Sequence, residues 1–231
     1  MTAADSKKPD AQALLRLRSV LDRVLRDGTV TASSDQSVHA LFPIAIDAAE
    51  GRALRDWVVG EGAAQTIEIG LGWGIGTLFI CHGLLMNGAR DPRHVALDPF
   101  QATRFKNCGL QLLAEAGARE LVEHLAEESQ LALPRFAGTG RRFDLAFVDG
   151  SHLFDRVFLD LVYLERLVRP AGIVFADDYQ APAVAKAVSF CLSNLGWQQV
   201  EQSPPDEHHQ WVVLRTPAEP AARKFPHFVD F

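Results

Sequence analysis

Three carboxylates in this 231-residue chain, Asp149, Asp177 and Asp178, stand where they could act together on one ligand. Each follows a short apolar run, Phe143 to Val148 in one case and Ile173 to Ala176 in the other. Neighbouring uncompensated carboxylates repel each other and resist burial. A divalent cation resolves that conflict. Mg²⁺, a hard octahedral ion that takes oxygen ligands, is the first expectation; Ca²⁺ or Mn²⁺ would also suit the donors. The competing reading leaves the acids in solvent, or pairs one with Arg156 or Lys186. His152 follows Asp149 by three residues and opens a helix beside the acids. An unperturbed imidazole pKa of about 6.5 suits a general base near neutral pH. The other histidines, the His208-His209 pair included, show no such placement.

A second constellation lies upstream. Glu68-Ile69-Gly70-Leu71-Gly72-Trp73-Gly74-Ile75-Gly76-Thr77 carries alternating glycines. The nicotinamide fingerprint needs Gly-x-Gly-x-x-Gly. Its third glycine would fall on Ile75, Thr77 or Phe79, depending on register, so no register satisfies it. Glu68 would repel a pyrophosphate, whereas it suits a ligand bearing an ammonium or sulfonium charge. The bland alternative is a tight strand–helix turn. Asp98, after the next apolar run, can accept hydrogen bonds from ribose hydroxyls or cap a turn. Ser129 can meet an adenine edge, with Gln130 on the same wall, or serve as a helix N-cap.

These residues need a scaffold that brings strand ends together. Leu14, Leu17, Leu21, Val24 and Leu25 predict a helix over Ala11 to Asp27, stopped by Gly28. A polar stretch, Thr29 to Ser37, precedes a second helix from Ile46-Asp47 to Gly60. Strands are then expected at 66–70, 95–98, 122–125, 143–149 and 172–176. Helices are expected at 75–86, 103–115, 153–168 and 181–195. Pro170 and Gly172 read as the stop of the third of these. Gln198 to Gln202 and Gln210 to Arg215 read as a terminal antiparallel hairpin. The alternation predicts an α/β fold, a mostly parallel sheet with helices on both faces. Ligands bind such sheets beyond the carboxyl ends of the strands, where the polar residues above stand.

Composition narrows the partners. The net charge is −6, from 23 Lys plus Arg against 29 Asp plus Glu. An acidic chain lacks the positive field that holds nucleic acid or anionic lipid. No apolar run is long enough to span a membrane, and the first ten residues have no apolar core of a signal peptide. Cys81, Cys108 and Cys191 lack metal-site spacing and fit a reducing, cytoplasmic location. The first ten residues and the Pro- and Ala-rich last fifteen read as tails or surface wrapping.

The glycine loop, Asp98, Glu128-Ser129-Gln130, Val148-Asp149-Gly150-Ser151-His152 and Phe175-Ala176-Asp177-Asp178 resemble the class I S-adenosylmethionine-dependent methyltransferases. More narrowly, they resemble the cation-dependent O-methyltransferases of the catechol, caffeoyl-CoA and macrolide-sugar types. The resemblance spans roughly Ile46 to Arg215. It implies a Rossmann-like seven-stranded sheet, parallel except for one strand of a C-terminal antiparallel hairpin. It also implies a single domain over residues 1–231: a helical cap or lid (1–60), a core (61–215) and a tail (216–231).

By the same resemblance, Gly70, Gly72 and Gly74 would hold the methionine part of the cofactor, with Glu68 near its amino end. Asp98 would bind the ribose and Ser129 the adenine. Asp149, Asp177 and Asp178 would ligate the metal, Asp149 also bordering the cofactor. The catechol and caffeoyl types carry a Lys where His152 stands, and the sugar-methylating types an acid where Ser151 stands. Neither type's base is reproduced here; His152 is the candidate base by its place beside the acids. Many relatives have Ser where this chain has Gly76, and Thr77 would supply the hydroxyl instead.

The expected reaction is methyl transfer to a hydroxyl of a small molecule, a catechol, vicinal diol or sugar. The helices before residue 60 and the stretch Thr29 to Ser37 would form a lid. Trp73, Phe100 and Tyr179 could line an aromatic pocket or simply pack. A homodimer is the assembly the resemblance allows. The alternative is a module that binds S-adenosylmethionine without transferring its methyl, acting as a regulatory or interaction protein; the absent Lys and acid favour it.

Overall fold

The computed structural model describes residues 10–89, 91–205, 209–219 and 227–231. The N-terminal tail up to residue 9, His208 and the Pro- and Ala-rich stretch at 220–226 lie outside the described residues. The chain divides into two compact units, Met1–Ala126 and Glu127–Phe231.

In the first unit, helix α1 (Ala11–Asp27) buries Leu17, Val20, Leu21 and Val24 along one face. Asp10 caps its start by accepting from the amides of Gln12 and Ala13, and Gly28, at φ 63°, ends it. Strands β1 (Thr29–Thr31) and β2 (Val38–Ala40) form an antiparallel ribbon, with Val30 opposite His39. The polar stretch Thr29 to Ser37 thus holds the first strand of a hairpin and its connection; Thr and Val are good strand formers. Helix α2 (Ala48–Gly60), capped by Asp47, comes next. Strand β3 (Gln65–Ile69), helix α3 (Ile75–Asn87), strand β4 (Arg93–Leu97), helix α4 (Cys108–Glu115) and strand β5 (Val122–Leu125) follow. The three strands β3, β4 and β5 are parallel with β4 in the middle, Ile67 opposite Val95 and Ala96 opposite His124.

Helices α1 and α2 pack on α3. A Cβ on Gly51 of α2 would sit 2.1 Å from the Phe79 ring of α3, and one on Gly83 would sit 2.8 Å from Val58. Both glycines are there for close helix approach. Helix α4 starts at Cys108, later than the expected Thr103. Lys106 and Asn107 adopt left-handed φ of 50° and 59°, which breaks an α-helical ladder.

In the second unit, helix α5 (Ser129–Gly138) leads to strand β6 (Phe143–Val148), helix α6 (Phe154–Leu167) and strand β7 (Val168–Ala176). Helix α7 (Pro182–Asn194), β8 (Gln198–Gln202) and β9 (Val212–Arg215) complete it. β6 and β7 are parallel; β9 lies antiparallel between β7 and β8. β7 begins at Val168, four residues before the expected start at Gly172, and so includes Pro170. A register shift between the Phe143–Val168 and Leu145–Ile173 pairs takes up the extra residues. Such an irregularity tolerates a proline, which has no N–H to donate, and Ala171 at φ 56°. The interior of this sheet is aromatic: Phe175 meets Phe147 edge-on at 5.6 Å and stacks with Trp211 at 4.9 Å.

Candidate active site

The polar residues of the first unit follow β3 and β4. Gly70, Gly72 and Gly74 all have positive φ, at 96°, 53° and 85°, a conformation that side chains resist. Gly74 has a second reason to be glycine: a Cβ there would lie 2.9 Å from the Gly109 Cα at the start of α4. A Cβ on Gly72 would meet nothing closer than 3.9 Å. The tight-turn reading therefore accounts for Gly74, while Gly72 leaves its backbone approachable.

Asp98 is the hub of this loop. Its Oδ2 accepts from the Gly72 amide at 2.8 Å and from Gln101 Nε2 at 2.8 Å; its Oδ1 accepts from the Phe100 amide at 2.7 Å. Gln101 also donates to the Gly72 carbonyl at 2.7 Å. Gln101 was not singled out from the sequence. Its sole signal was a position three residues after Asp98.

Glu68 and Thr77 are buried and bonded to each other, Thr77 Oγ1 donating to Glu68 Oε2. His94 Nε2 lies 3.2 Å from the same oxygen, and its Nδ1 lies 2.9 Å from Thr66 Oγ1. Glu68 is 1% exposed, so part of its hydrogen-bonding capacity serves the base of the glycine loop. Trp73 is buried too, with His39 of the hairpin stacked on it at 5.4 Å and Phe105 edge-on at 5.0 Å. Lys106 donates to Asp35 and Ser37, and Gln111 bonds the Thr31 carbonyl and the Ser33 amide. The hairpin is fastened to the segment after β4, while α1 and α2 pack on α3. Phe100 is exposed.

In the second unit, Ser129 is the first residue of α5, and Glu128 occupies the N-cap position. The N-cap alternative for Ser129 is therefore not realised. Its buried hydroxyl is hydrogen-bonded to Asp160 of α6. Burial pushes the Asp160 carboxyl up to about 7, against the lowering effects of Ser129 and Arg156. Arg156 bonds Glu128 at 3.2 Å and Gln130 at 3.3 Å. Lys186 lies over the Phe231 ring at 4.8 Å.

Asp149 follows β6, and Asp177 and Asp178 follow β7. One ligand atom each from Asp149, His152 and Asp178 lie within 4.8 Å of one another. Asp177, Asp178 and His209 form a second such trio. His152 Nε2 is 2.6 Å from Asp178 Oδ2. That hydrogen bond raises the imidazole pKa above its ordinary value; burial opposes it, and the charges of Asp178 and Asp177 add to it. Burial disfavours ionisation of Asp178, but the bond and charge of His152, the Gln180 amide and His209 outweigh it and hold its carboxyl below the usual range. Asp178 sits at φ 53°, a left-handed conformation that Asp tolerates better than most residues. Its amide donates to Asp177 Oδ1 at 2.6 Å. Carboxylate oxygens and imidazole nitrogens that converge in this way fit a divalent cation.

The structure thus brings together the predicted His152, Asp149, Asp177 and Asp178. It adds His209, which sequence reasoning had set aside. The expected terminal hairpin was the available clue. Its strand β9 pairs with β7, so the chain just before β9 runs beside Asp177 and Asp178.

Solved structures resemble this chain across both units. An O-methyltransferase from Bacillus cereus, solved with S-adenosylhomocysteine, has TM-score 0.66 at 16% identity, covering 86% of this chain and 90% of that one. The O-methyltransferase TomG from Streptomyces achromogenes, involved in tomaymycin synthesis and solved with S-adenosylmethionine, has TM-score 0.59 at 19% identity, covering 90% and 91%. A candidate O-methyltransferase from Klebsiella pneumoniae has TM-score 0.63 at 17% identity, covering 91% and 92%. These likenesses show the fold: the Rossmann-like α/β fold of class I methyltransferases, with seven main strands, parallel except for β9. No curated protein matches the sequence. Residues 67–179 match the family described as Methyltransferase domain. Over those residues the chain is similar to methyltransferase domains, on the fold that the solved structures share.

Proposed function

We propose that the protein transfers a methyl group from S-adenosylmethionine to a hydroxyl of a small molecule, with a divalent cation at Asp149, Asp177 and Asp178, and that the whole chain serves as one catalytic domain. The observation that carries this reading is the His152–Asp178 pair, 2.6 Å apart beside Asp149 and Asp177. It supplies a held base among carboxylates.

With Nε2 held by Asp178, His152 has Nδ1 to take the proton of an acceptor hydroxyl. Its side chain is half exposed, so an acceptor can reach it. Asp178 fixes the ring and stabilises the imidazolium formed, as an orienting carboxylate does in other acid–base sites. The backbone of Gly70 to Gly74, braced by Asp98 and Gln101, is assigned the methionine end of the cofactor. Asp98 takes the ribose, Ser129 and Gln130 the adenine, and Glu68 with Thr77 the base of the loop. When bound, S-adenosylmethionine supplies an electrophilic methyl, and a cation lowers the pKa of a coordinated hydroxyl. A catechol or vicinal diol, with two adjacent oxygens, suits such a centre. The net charge of −6 supports a small-molecule acceptor over nucleic acid or an anionic membrane. Among the described residues, no helix is long and apolar enough to cross a membrane. Three buried free thiols support a reducing, cytoplasmic setting.

Calorimetry with S-adenosylmethionine, with and without divalent ions and with NAD as control, tests the cofactor assignment. A panel of catechols, diols and sugars, assayed with and without EDTA, tests transfer. Binding of S-adenosylmethionine with no transfer to any acceptor would favour the binding-module reading. Full activity in excess EDTA would remove the cation from the mechanism.

A further inference from the structure

The second trio of potential ligands differs from the oxygen-only set that the acids alone would form. His209 precedes β9, and β9 runs antiparallel to β7 with Val212 opposite Ala176. The pairing is extended beyond the strands: the Tyr179 amide donates to the Gln210 carbonyl at 2.6 Å, and the Gln210 amide donates to Gln180 Oε1 at 2.9 Å. These bonds fix the backbone next to His209 against the turn that carries Asp177 and Asp178. The imidazole is brought within 4.8 Å of a carboxylate oxygen from each acid. His152 is engaged separately, through Nε2, with Asp178 Oδ2.

We propose that His209 is a metal ligand, and that Asp177, Asp178 and His209 form a mixed oxygen–nitrogen site that selects a first-row transition ion such as Co²⁺ or Zn²⁺ over Mg²⁺. This rests on the reading above that a cation binds at Asp177 and Asp178; it puts His209 in place of Asp149 in the ligand set and a transition ion in place of Mg²⁺. The chemical reason is ligand softness. Imidazole nitrogen suits transition ions, whereas Mg²⁺ takes oxygen and keeps its waters. His152 remains outside the ligand set as the base, and Asp178 serves both by using separate lone pairs.

The test uses the full chain, stripped with EDTA and titrated with Co²⁺, Zn²⁺, Mn²⁺ and Mg²⁺ by calorimetry, with the visible absorption of Co²⁺ as a direct report on its ligands. The wild type is expected to bind Co²⁺ and Zn²⁺ at least roughly tenfold more tightly than Mg²⁺, with Mn²⁺ in between. His209→Ala should weaken the transition ions by roughly tenfold or more and change the Co²⁺ spectrum. His209→Asp should narrow or reverse the preference over Mg²⁺, and His152→Ala should leave the Co²⁺ spectrum nearly unchanged. S-adenosylmethionine binding, measured on each variant, reports that the domain is folded. Co²⁺ affinity and spectrum unchanged in a folded His209→Ala, with Asp177→Asn/Asp178→Asn abolishing binding, would overturn the role of His209 and leave the cation reading standing. A wild type that binds none of the four ions would overturn both.

Discussion

His152 Nε2 and Asp178 Oδ2 stand 2.6 Å apart, and each moves the other's titration: the imidazole upward, the carboxyl downward. The two groups come from the ends of adjacent strands, β6 and β7, so their meeting depends on the parallel pairing of Val148 with Ala176. A base must be neutral to accept a proton. Activity in the proposed reaction should therefore rise with pH along a limb set by His152, and in the metal-free protein the imidazole should titrate above the ordinary histidine value of about 6.5. His152→Gln should remove that limb and most of the turnover. Asp178→Asn should lower the His152 pKa, which the imidazole proton shifts in an NMR titration would show. An unshifted titration would mean that the pair does not interact in solution. The contact also favours the folded state at low pH. A raised histidine pKa contributes stability that is present below the unfolded value and lost as pH rises through the folded one.

Asp160 gives a pH dependence of a different origin. Its carboxyl is buried, and its pKa rises to about 7. The folded state therefore holds a proton that the unfolded state has released between about pH 4 and pH 7. Stability should fall as pH rises through this window and level off above it. Asp160→Asn, which keeps a partner for Ser129 and carries no charge, should flatten the dependence. It should stabilise the protein at pH 8 by something on the order of 1–3 kcal/mol. Urea unfolding of both proteins at pH 5 and pH 8 is the measurement; equal slopes with pH would show that Asp160 is not the titrating group.

Gly74 combines a φ of 85° with a 2.9 Å approach to the Gly109 Cα. Gly74→Ala should cost roughly 2–5 kcal/mol, from left-handed strain and from backbone that cannot yield. Gly72→Ala meets only the strain, because its Cβ has room, and should cost roughly 1–2 kcal/mol. If Gly72 borders the cofactor, its variant should lose S-adenosylmethionine affinity out of proportion to its stability loss. Denaturant midpoints compared with calorimetric affinities separate the two effects.

Gln101 bridges Asp98 Oδ2 and the Gly72 carbonyl through one amide group. Both partners are acceptors, so the –NH₂ must face them. Gln101→Leu leaves both a bond short and should cost roughly 1–3 kcal/mol. Faster amide exchange in residues 70–74 and a weaker S-adenosylmethionine affinity should accompany that loss. Gln101→Glu would replace the donor with a second carboxylate beside Asp98 and should be worse. An affinity unchanged in Gln101→Leu would mean that Asp98 is held well enough by the Gly72 and Phe100 amides alone.

Much of the scaffold was legible along the chain because it is written in short-range signals. Asp10 and Gly28 bound α1 where the apolar period begins and ends. Apolar runs marked the cores of β3, β4, β6 and β7, and glycines marked the turn after β3. Errors came where distant contacts overrode local preference. Lys106 and Asn107 turn left-handed in a segment whose Lys106 reaches Asp35, and α4 starts late. β7 absorbs Pro170 through a register shift with β6, a feature invisible within β7 alone.

For the site, the sequence by itself determined which residues follow the strands: the glycine loop, Asp98, Asp149, His152 and Asp177-Asp178. Strand ends are set by local pattern, and α/β chirality sends them to binding edges. Only the tertiary structure decided what those side chains touch. Glu68 meets Thr77 and His94, Ser129 meets Asp160, and His152 meets Asp178. His209 joins the acids because β9 pairs antiparallel with β7. Such contacts depend on strand order and register, and on which side chain is nearest once two distant segments pair. Periodicity within a dozen residues carries none of that information.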